Sequence, residues 1–146
     1  MFNKQLIAVL VLAAFSGTAL AGEKEDAMKC VADAVAAANK DKAAALAEMN
    51  NPKGRFIKGE VYVFAYDLSG TILAQPFNPK LLGKNMLDVP DATGKMYRKE
   101  MIDGVKANGS ATVEYRYKNP VGGKMEDKVS FCTKAADLAI CAGYYK

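Results

Sequence analysis

The stretch VYVFAYD, residues 61–67, constrains the fold more than any other part of the sequence. Its small apolar residues alternate with aromatic ones, so a strand built from it is apolar on both faces. Such a strand belongs inside a sheet that is covered on both sides. The turn Asp67-Leu68-Ser69-Gly70 and the run TILAQ follow, which predicts a hairpin.

Residues 23–49 predict a different kind of element. They are rich in alanine, lack glycine and proline, and carry apolar side chains at three- and four-residue steps. This spacing is typical of one long amphipathic helix. The cluster Asn50-Asn51-Pro52-Lys53-Gly54 predicts where the helix ends.

The remaining chain predicts a lid and three more strands. Residues 76–95 hold three prolines and two glycines, a composition typical of a lid or binding segment, and a helix is expected from Met96 to Asn108. The runs SATVEYRYK, EDKVSFCTK and LAICAGYYK then form a meander. Only the middle connection is long, so all strands can be antiparallel. We expect an α+β domain with the sheet between the long helix and the lid.

The N-terminus predicts export. Lys4, an apolar run from Leu6 to Phe15 and the small-residue ending Ala19-Leu20-Ala21 make a secretory signal, cleaved near Ala21. The apolar run is shorter than the roughly 20 residues that a membrane-spanning helix needs. We therefore expect residues 1–21 to be a signal peptide and residues 22–146 a single domain without a membrane span, periplasmic or secreted.

Composition argues against several functions. The formal charge of +4 is spread along the chain with acidic residues mixed in, whereas nucleic-acid binding needs a concentrated basic face. Histidine is absent, which removes the usual metal ligand and the usual general base. We expect no metal, no cofactor, no nucleic-acid partner and no enzymatic activity.

The three cysteines show none of the spacings of zinc, haem or thioredoxin-like sites. Cys132 and Cys141 are placed symmetrically about the Ala136-Asp137 turn, so a hairpin brings them opposite each other. A cross-strand disulfide between them is expected, with Cys30 left as a thiol.

Several motifs together resemble the single Cache domain of type 2, the extracellular PAS-like sensor module of bacterial chemoreceptors and kinases. They are YVFAYDLSGTILAQPFNPKLLGKN, DATGK, GSATVEYRYKNP, DKVSF and CAGYY, in this order over about residues 25–146. The resemblance implies a five-stranded antiparallel sheet behind a long N-terminal helix. It also implies a small pocket between sheet and lid for short carboxylates such as acetate, propionate, pyruvate or lactate.

The strand SATVEYRYK carries the first candidate ligand-binding residues. Alternation turns Tyr115 and Tyr117 inward as hydroxyl donors and turns Arg116 the other way. From the residues alone, Arg116 is as well explained by a solvated edge position as by ligand binding. The resemblance favours binding, because a basic residue between these aromatics recurs in the family.

Further candidates come from the resemblance and from the pocket chemistry that a carboxylate needs. Lys128 matches a family lysine, although a lysine that opens a strand is more often solvated. Tyr66, Gln75 and Tyr97 are candidate donors in the pocket wall, and Gln75 stands where the family often has histidine. Each of these three is equally explained as a structural residue.

Two functions remain open from the sequence. The first is a stand-alone exported module that binds a small carboxylate without catalysis and acts in signal transduction or ligand capture. The alternative is a periplasmic interaction protein with a vestigial pocket that docks on a membrane sensor or kinase. The partners expected are a small-molecule carboxylate and, unless the chain only captures its ligand, a membrane sensor protein.

Overall fold

The computed structural model describes residues 19–146, with side chains from residue 22 onward. The predicted signal peptide, residues 1–21, lies outside the described residues except for residues 19–21, which begin the first helix. Within residues 19–146, no helix is both long enough and apolar enough to cross a bilayer.

The predicted long helix is two helices, α1 (Ala19–Lys40) and α2 (Lys42–Met49). Asp41 interrupts them with an extended backbone, φ −155°, and its carboxylate accepts a hydrogen bond from the Ala44 amide at 3.1 Å. Aspartate favours this N-cap position because its side chain satisfies an amide that the helix leaves free. The prediction of one continuous helix was therefore wrong at Asp41.

The sheet is antiparallel throughout, as expected. Its strands are β1 (Ile57–Lys58), β2 (Val61–Asp67), β3 (Ile72–Ala74), β4 (Ser110–Lys118), β5 (Met125–Ala135) and β6 (Leu138–Tyr145), and the spatial order is β1-β2-β6-β5-β4. Strand β3 also pairs with β2. Residues 19–146 form six strands where five were expected, because the two-residue β1 is too short to show an alternating pattern.

The alternation in β2 separates two cores. Val61, Val63 and Ala65 face α1 and α2 in a cluster made largely of alanine, valine and leucine. Tyr62, Phe64 and Tyr66 face the opposite side, which is covered by the lid and by α3 (Tyr97–Asn108). The sheet thus lies between the N-terminal helices and the lid, and its aromatic face is the one beneath the lid.

The lid, residues 75–96, is fastened in its middle and near its end. In the middle, the Lys84 carbonyl accepts from the Ile72 amide at 3.0 Å, and a Cβ on Gly70 would come within 2.8 Å of Leu87. Near its end, the Asp91 carboxylate accepts from the Arg116 amide at 2.9 Å. These bonds hold the lid against the β2–β3 hairpin and against β4.

The cysteines lie on the two faces of the sheet. Cys132 and Cys141 are direct partners across β5 and β6 and form a disulfide with an S–S distance of 2.07 Å. The bond belongs to the aromatic face beneath the lid. Cys30 is a free, buried thiol on α1, on the other face.

Candidate ligand-binding site

A small cavity lies between the aromatic face of the sheet and the lid. Its volume is ≈ 10 Å³, about what a single water molecule needs. The residues that line it come from four strands or helices and from the start of the lid: Tyr62, Phe64, Tyr66, Gln75, Tyr97, Tyr115, Tyr117 and Lys128. Six of the seven candidates predicted from the sequence are among them.

Lys128 is the chemically unusual member of the cavity wall. It is the fourth residue of β5 rather than its first, and it is 0 % exposed. Its Nζ atom has no hydrogen-bond partner among the described residues. The solvated position that is usual for a lysine at a strand end does not occur here, because the strand begins earlier and carries Lys128 beneath the lid.

Aromatic rings surround the Lys128 amino group. Its Nζ lies 4.0 Å from the ring centre of Tyr62, 4.9 Å from that of Tyr145, 5.0 Å from Phe64 and 5.5 Å from Tyr117. Such ring faces attract a cation, but they do not replace the hydrogen bonds that it leaves behind in water. Burial accordingly lowers the pKa of Lys128 well below its usual value.

Gly143 makes room for this arrangement. It pairs with Ser130 across β5 and β6. A Cβ at this position would collide with the Ser130 hydroxyl and the Val129 carbonyl, and would come within 3.0 Å of Lys128 Cε. The side chains of Lys128 and Ser130 can lie on this face only because their neighbour has none.

The tyrosine hydroxyls form pairs around the cavity. Tyr115 Oη and Ser130 Oγ are 3.0 Å apart, and Tyr62 Oη and Tyr145 Oη are 3.2 Å apart. Burial raises the pKa of each of these three tyrosines, although the hydrogen bond with Ser130 lowers that of Tyr115 in part. The phenols are therefore neutral near neutral pH, and each offers one O–H donor.

Arg98 is a second buried cation beside the cavity. It is 4 % exposed, its guanidinium lies 4.4 Å from the Tyr97 ring centre, and its Nε has no partner among the described residues. Burial raises the pKa of Tyr66 to about 12, and Arg98 acts in the opposite direction. Burial also raises the pKa of Tyr117, again opposed by Arg98. Arg98 thus adds positive charge behind two of the cavity's hydroxyls.

Gln75 is held in the wall by the end of α2. The Asn50 carboxamide accepts from the Gln75 amide N–H at 2.9 Å and donates to the Leu46 and Leu73 carbonyls at 3.1 and 3.0 Å. Gln75 is buried, and none of the side-chain bonds among the described residues uses its own carboxamide. That group is therefore free to turn toward the cavity.

Arg116 does not line the cavity. Its guanidinium pairs with Asp127 at 3.1 Å and donates to the Met125 carbonyl at 3.0 Å. Strand alternation turns it away from the face of Tyr115 and Tyr117. Of the two positions that the residues alone left open, the structure has the one outside the cavity.

Sequence reasoning missed Tyr62, Phe64, Tyr145 and Arg98 as parts of the site. The alternation in VYVFAYD placed Tyr62 and Phe64 on the same face as Tyr66, so that signal was present. Tyr145 is the cross-strand partner of Lys128, which only the strand register reveals. Arg98 follows Tyr97 in the first turn of α3, where a charged residue is ordinarily exposed.

An outer cleft adjoins the cavity on the side of Gln75. It has a volume of ≈ 280 Å³ and shares Tyr62, Gln75 and Tyr117 with the cavity. Phe77, which is 39 % exposed, packs edge-on against the Tyr62 ring at 5.2 Å. These side chains separate the buried cavity from solvent.

No group of three or more histidine, cysteine or acidic residues among residues 19–146 could hold a metal ion. The site is instead a small buried cavity with a lysine amino group, neutral phenols and an amide beneath a lid. This fold and site define a PAS-like sensor domain. The chain belongs to the family of single Cache domains of type 2, whose model matches residues 23–145.

Solved structures share the fold. The chain is similar to the periplasmic sensor domain of a chemotaxis protein, with 27 % identity, 83 % of this chain and 88 % of that chain covered, and a TM-score of 0.66. It is also similar to a methyl-accepting chemotaxis protein from Vibrio parahaemolyticus, with 22 % identity, coverages of 83 % and 86 %, and a TM-score of 0.70.

A third structure concerns carboxylic acid recognition by a Cache chemosensory domain. Its identity to this chain is 24 %, the coverages are 86 % of this chain and 94 % of that chain, and the TM-score is 0.72. At this level of identity, the comparison shows that the two domains share a fold and nothing more specific. No curated protein matches the chain.

Proposed function

We propose that this sensor-type module binds a short-chain carboxylate of the acetate, propionate, pyruvate or lactate class. The observation that carries the proposal is the Lys128 amino group, fully buried and without a hydrogen-bond partner among the described residues. A buried charge is costly unless it is paired. An anionic ligand supplies the missing partner.

The other polar groups of the cavity suit the same ligand. The phenols of Tyr62, Tyr66, Tyr97, Tyr115 and Tyr117 can each donate an O–H, and the Gln75 carboxamide can donate an N–H. No carboxylate is among the residues that line the cavity. The carboxylate of a ligand therefore meets hydrogen-bond donors here. The ammonium group of a ligand would meet the basic residues Lys128 and Arg98 and no acid.

The size of the cavity limits the carbon chain. A volume of ≈ 10 Å³ is too small for an acid in the closed arrangement, so Gln75 and Phe77 must move for the ligand to enter from the outer cleft. The phenol rings and Phe64 then provide an apolar wall for one or two carbons. Short acids need the smallest displacement of the lid.

Carboxylic acid recognition by a structurally similar Cache chemosensory domain supports the same ligand class here. We further propose that residues 1–21 direct export, that the domain is periplasmic or secreted, and that it passes its ligand state to a membrane sensor protein or captures the ligand. In this proposal the domain binds its ligand without converting it.

One observation favours the alternative of an interaction protein with a vestigial pocket. The Lys128 amino group is already packed against four rings, and the cavity has room for about one water molecule. If the lid never opens, the site is a remnant, and the chain acts only through its surface.

A thermal-shift and calorimetry experiment with small acids separates the two functions. A ligand at 100 times its dissociation constant stabilises the protein by about 2.7 kcal/mol. We expect acetate or propionate to stabilise the parent and acetamide to have little effect, because the amide places N–H groups against donors. Stabilisation by no acid, or equally by the amide, would reject the anion pocket.

Two variants locate the site in the same assay. Lys128→Ala should weaken acid binding at least about tenfold, since a charge-assisted hydrogen bond is worth about 1.5–3 kcal/mol. Tyr115→Phe keeps the ring and should also cost affinity. Lys134→Ala, an exposed lysine on the same strand, is the matched control and should bind like the parent.

A further inference from the structure

No acidic residue lines the cavity wall around Lys128. Glu126 shares this face of β5, two residues before Lys128, and its carboxylate accepts a hydrogen bond from the Asn119 carboxamide at 2.9 Å. The other side chains around Lys128 are neutral or positive: Tyr62, Phe64 and Tyr66 from β2, Tyr115 and Tyr117 from β4, Tyr145 from β6, Tyr97 and Arg98 from α3, and Gln75 from the lid. The raised pKa values of the tyrosines keep the phenols from acting as counter-anions. The cavity wall therefore contains nothing among the described residues that neutralises a lysine ammonium.

This geometry favours the neutral amine when no anion is bound. Burial removes water from Nζ, and the surrounding residues supply no hydrogen-bond partner in its place. The ring faces of Tyr62 and Tyr145 offset part of this cost. Burial is accordingly the cause that lowers the Lys128 pKa.

We propose that the cavity takes up a short carboxylate together with one proton, which Lys128 binds as the carboxylate arrives. This inference rests on the proposed function. The balance is one carboxylate, one proton and one neutral amine giving one ammonium–carboxylate pair, so no net charge enters the cavity. The domain then responds to the product of carboxylate and proton concentrations, which is proportional to the concentration of undissociated acid.

The inference fixes the sign of the pH dependence. A carboxylate beside Nζ stabilises the ammonium, so the Lys128 pKa is higher in the complex than in the free protein. Between these two values the complex holds one more proton than the free protein. Affinity for the carboxylate falls about tenfold for each unit of increase in pH across that interval, because each unit lowers the proton concentration tenfold.

Calorimetric titration with acetate and propionate tests the coupling. The titrations are run in two buffers of different ionisation enthalpy between about pH 6 and 9, where neither a free short acid nor an ordinary lysine titrates. We expect the apparent enthalpy to depend on the buffer and to report uptake of up to one proton per acid bound. The dissociation constant should rise with pH in the same interval.

Lys128→Arg is the matched variant, because a guanidinium stays protonated throughout this range. Its binding enthalpy should not depend on the buffer. If the variant fails to fold, the parent alone decides the result. Acid binding by the parent with no buffer dependence and no change in affinity over the range would overturn the inference and leave the proposed function standing. An absence of acid binding to the parent would reject both, and the two failures are thereby distinguished.

Discussion

Replacing Lys128 with methionine removes the charge and keeps an unbranched side chain of similar length. Lys128 is 0 % exposed and has no hydrogen-bond partner among the described residues. Replacing buried charged groups with apolar ones of similar volume often stabilises proteins by about 1–4 kcal/mol. The loss of attraction to the rings, about 0.5–2 kcal/mol, works against that gain. We expect Lys128→Met to raise the free energy of unfolding by about 1–3 kcal/mol and to abolish tight acid binding.

The pH dependence of this gain follows from the lowered pKa of Lys128. The unfolded chain holds the lysine proton up to about pH 10.4, whereas the folded protein gives it up at lower pH. The cost of Lys128 is therefore present in full below the folded pKa, and it disappears as the pH rises toward about 10.4. The advantage of Lys128→Met should shrink by at most about 1.4 kcal/mol per pH unit over that interval.

Urea denaturation at several values between about pH 6 and 10 measures both effects. Lys134→Met, an exposed position on the same strand, is the control and should stay within about 0.5 kcal/mol of the parent. A Lys128→Met protein that is less stable than the parent at every pH would show that Lys128 is a structural residue. A gain that does not change with pH would show that Lys128 keeps its proton in the folded protein.

Two further predictions concern the parts that hold the cavity. Gly143→Ala introduces a Cβ that collides with the Ser130 hydroxyl, so it should lower the free energy of unfolding by about 1–3 kcal/mol and weaken acid binding. Gly122→Ala is the control, because no atom lies within 4 Å of its Cβ, and it should change neither quantity in denaturation and titration experiments. Asp91→Asn removes a carboxylate whose pKa is lowered overall. Partial burial raises this pKa, but hydrogen bonds, chiefly from the Arg116 amide, lower it by more. Its contribution is present above about pH 3.9 and is lost as the pH falls below, so parent and variant should differ in thermal midpoint at neutral pH and converge in acid.

The two faces of the sheet could be predicted from the sequence because alternation is a local property. The pattern in VYVFAYD assigned Val61 and Tyr62 to opposite sides, and the structure confirms both assignments. The helix break at Asp41 is also local, but one aspartate in an alanine-rich segment is a weak signal until its side chain is seen to cap Ala44. The two-residue β1 offers no pattern to detect.

The surroundings of Lys128 depend on contacts that no local pattern contains. Tyr62 and Tyr145 are distant in sequence, and their hydroxyls meet at 3.2 Å only because β2 lies next to β6 in the sheet. The space for the lysine depends on Gly143, whose role appears only once its register with Ser130 is known. The sequence could therefore nominate Lys128 through a resemblance but could not predict that it is buried and unpaired.

The distribution of side chains suggests how the domain tolerates an unfavourable group at its centre. One face of the sheet packs small apolar residues against α1 and α2, with no buried charge in that cluster. The other face carries Lys128 and Arg98, and the Cys132–Cys141 disulfide joins its two central strands. A disulfide stabilises a fold chiefly by restricting the unfolded chain, so it can offset a cost located elsewhere. Binding an anion beside Lys128 removes that cost. The free energy of unfolding should therefore rise as the cavity fills with ligand, so that denaturation and binding experiments measure the same free energy.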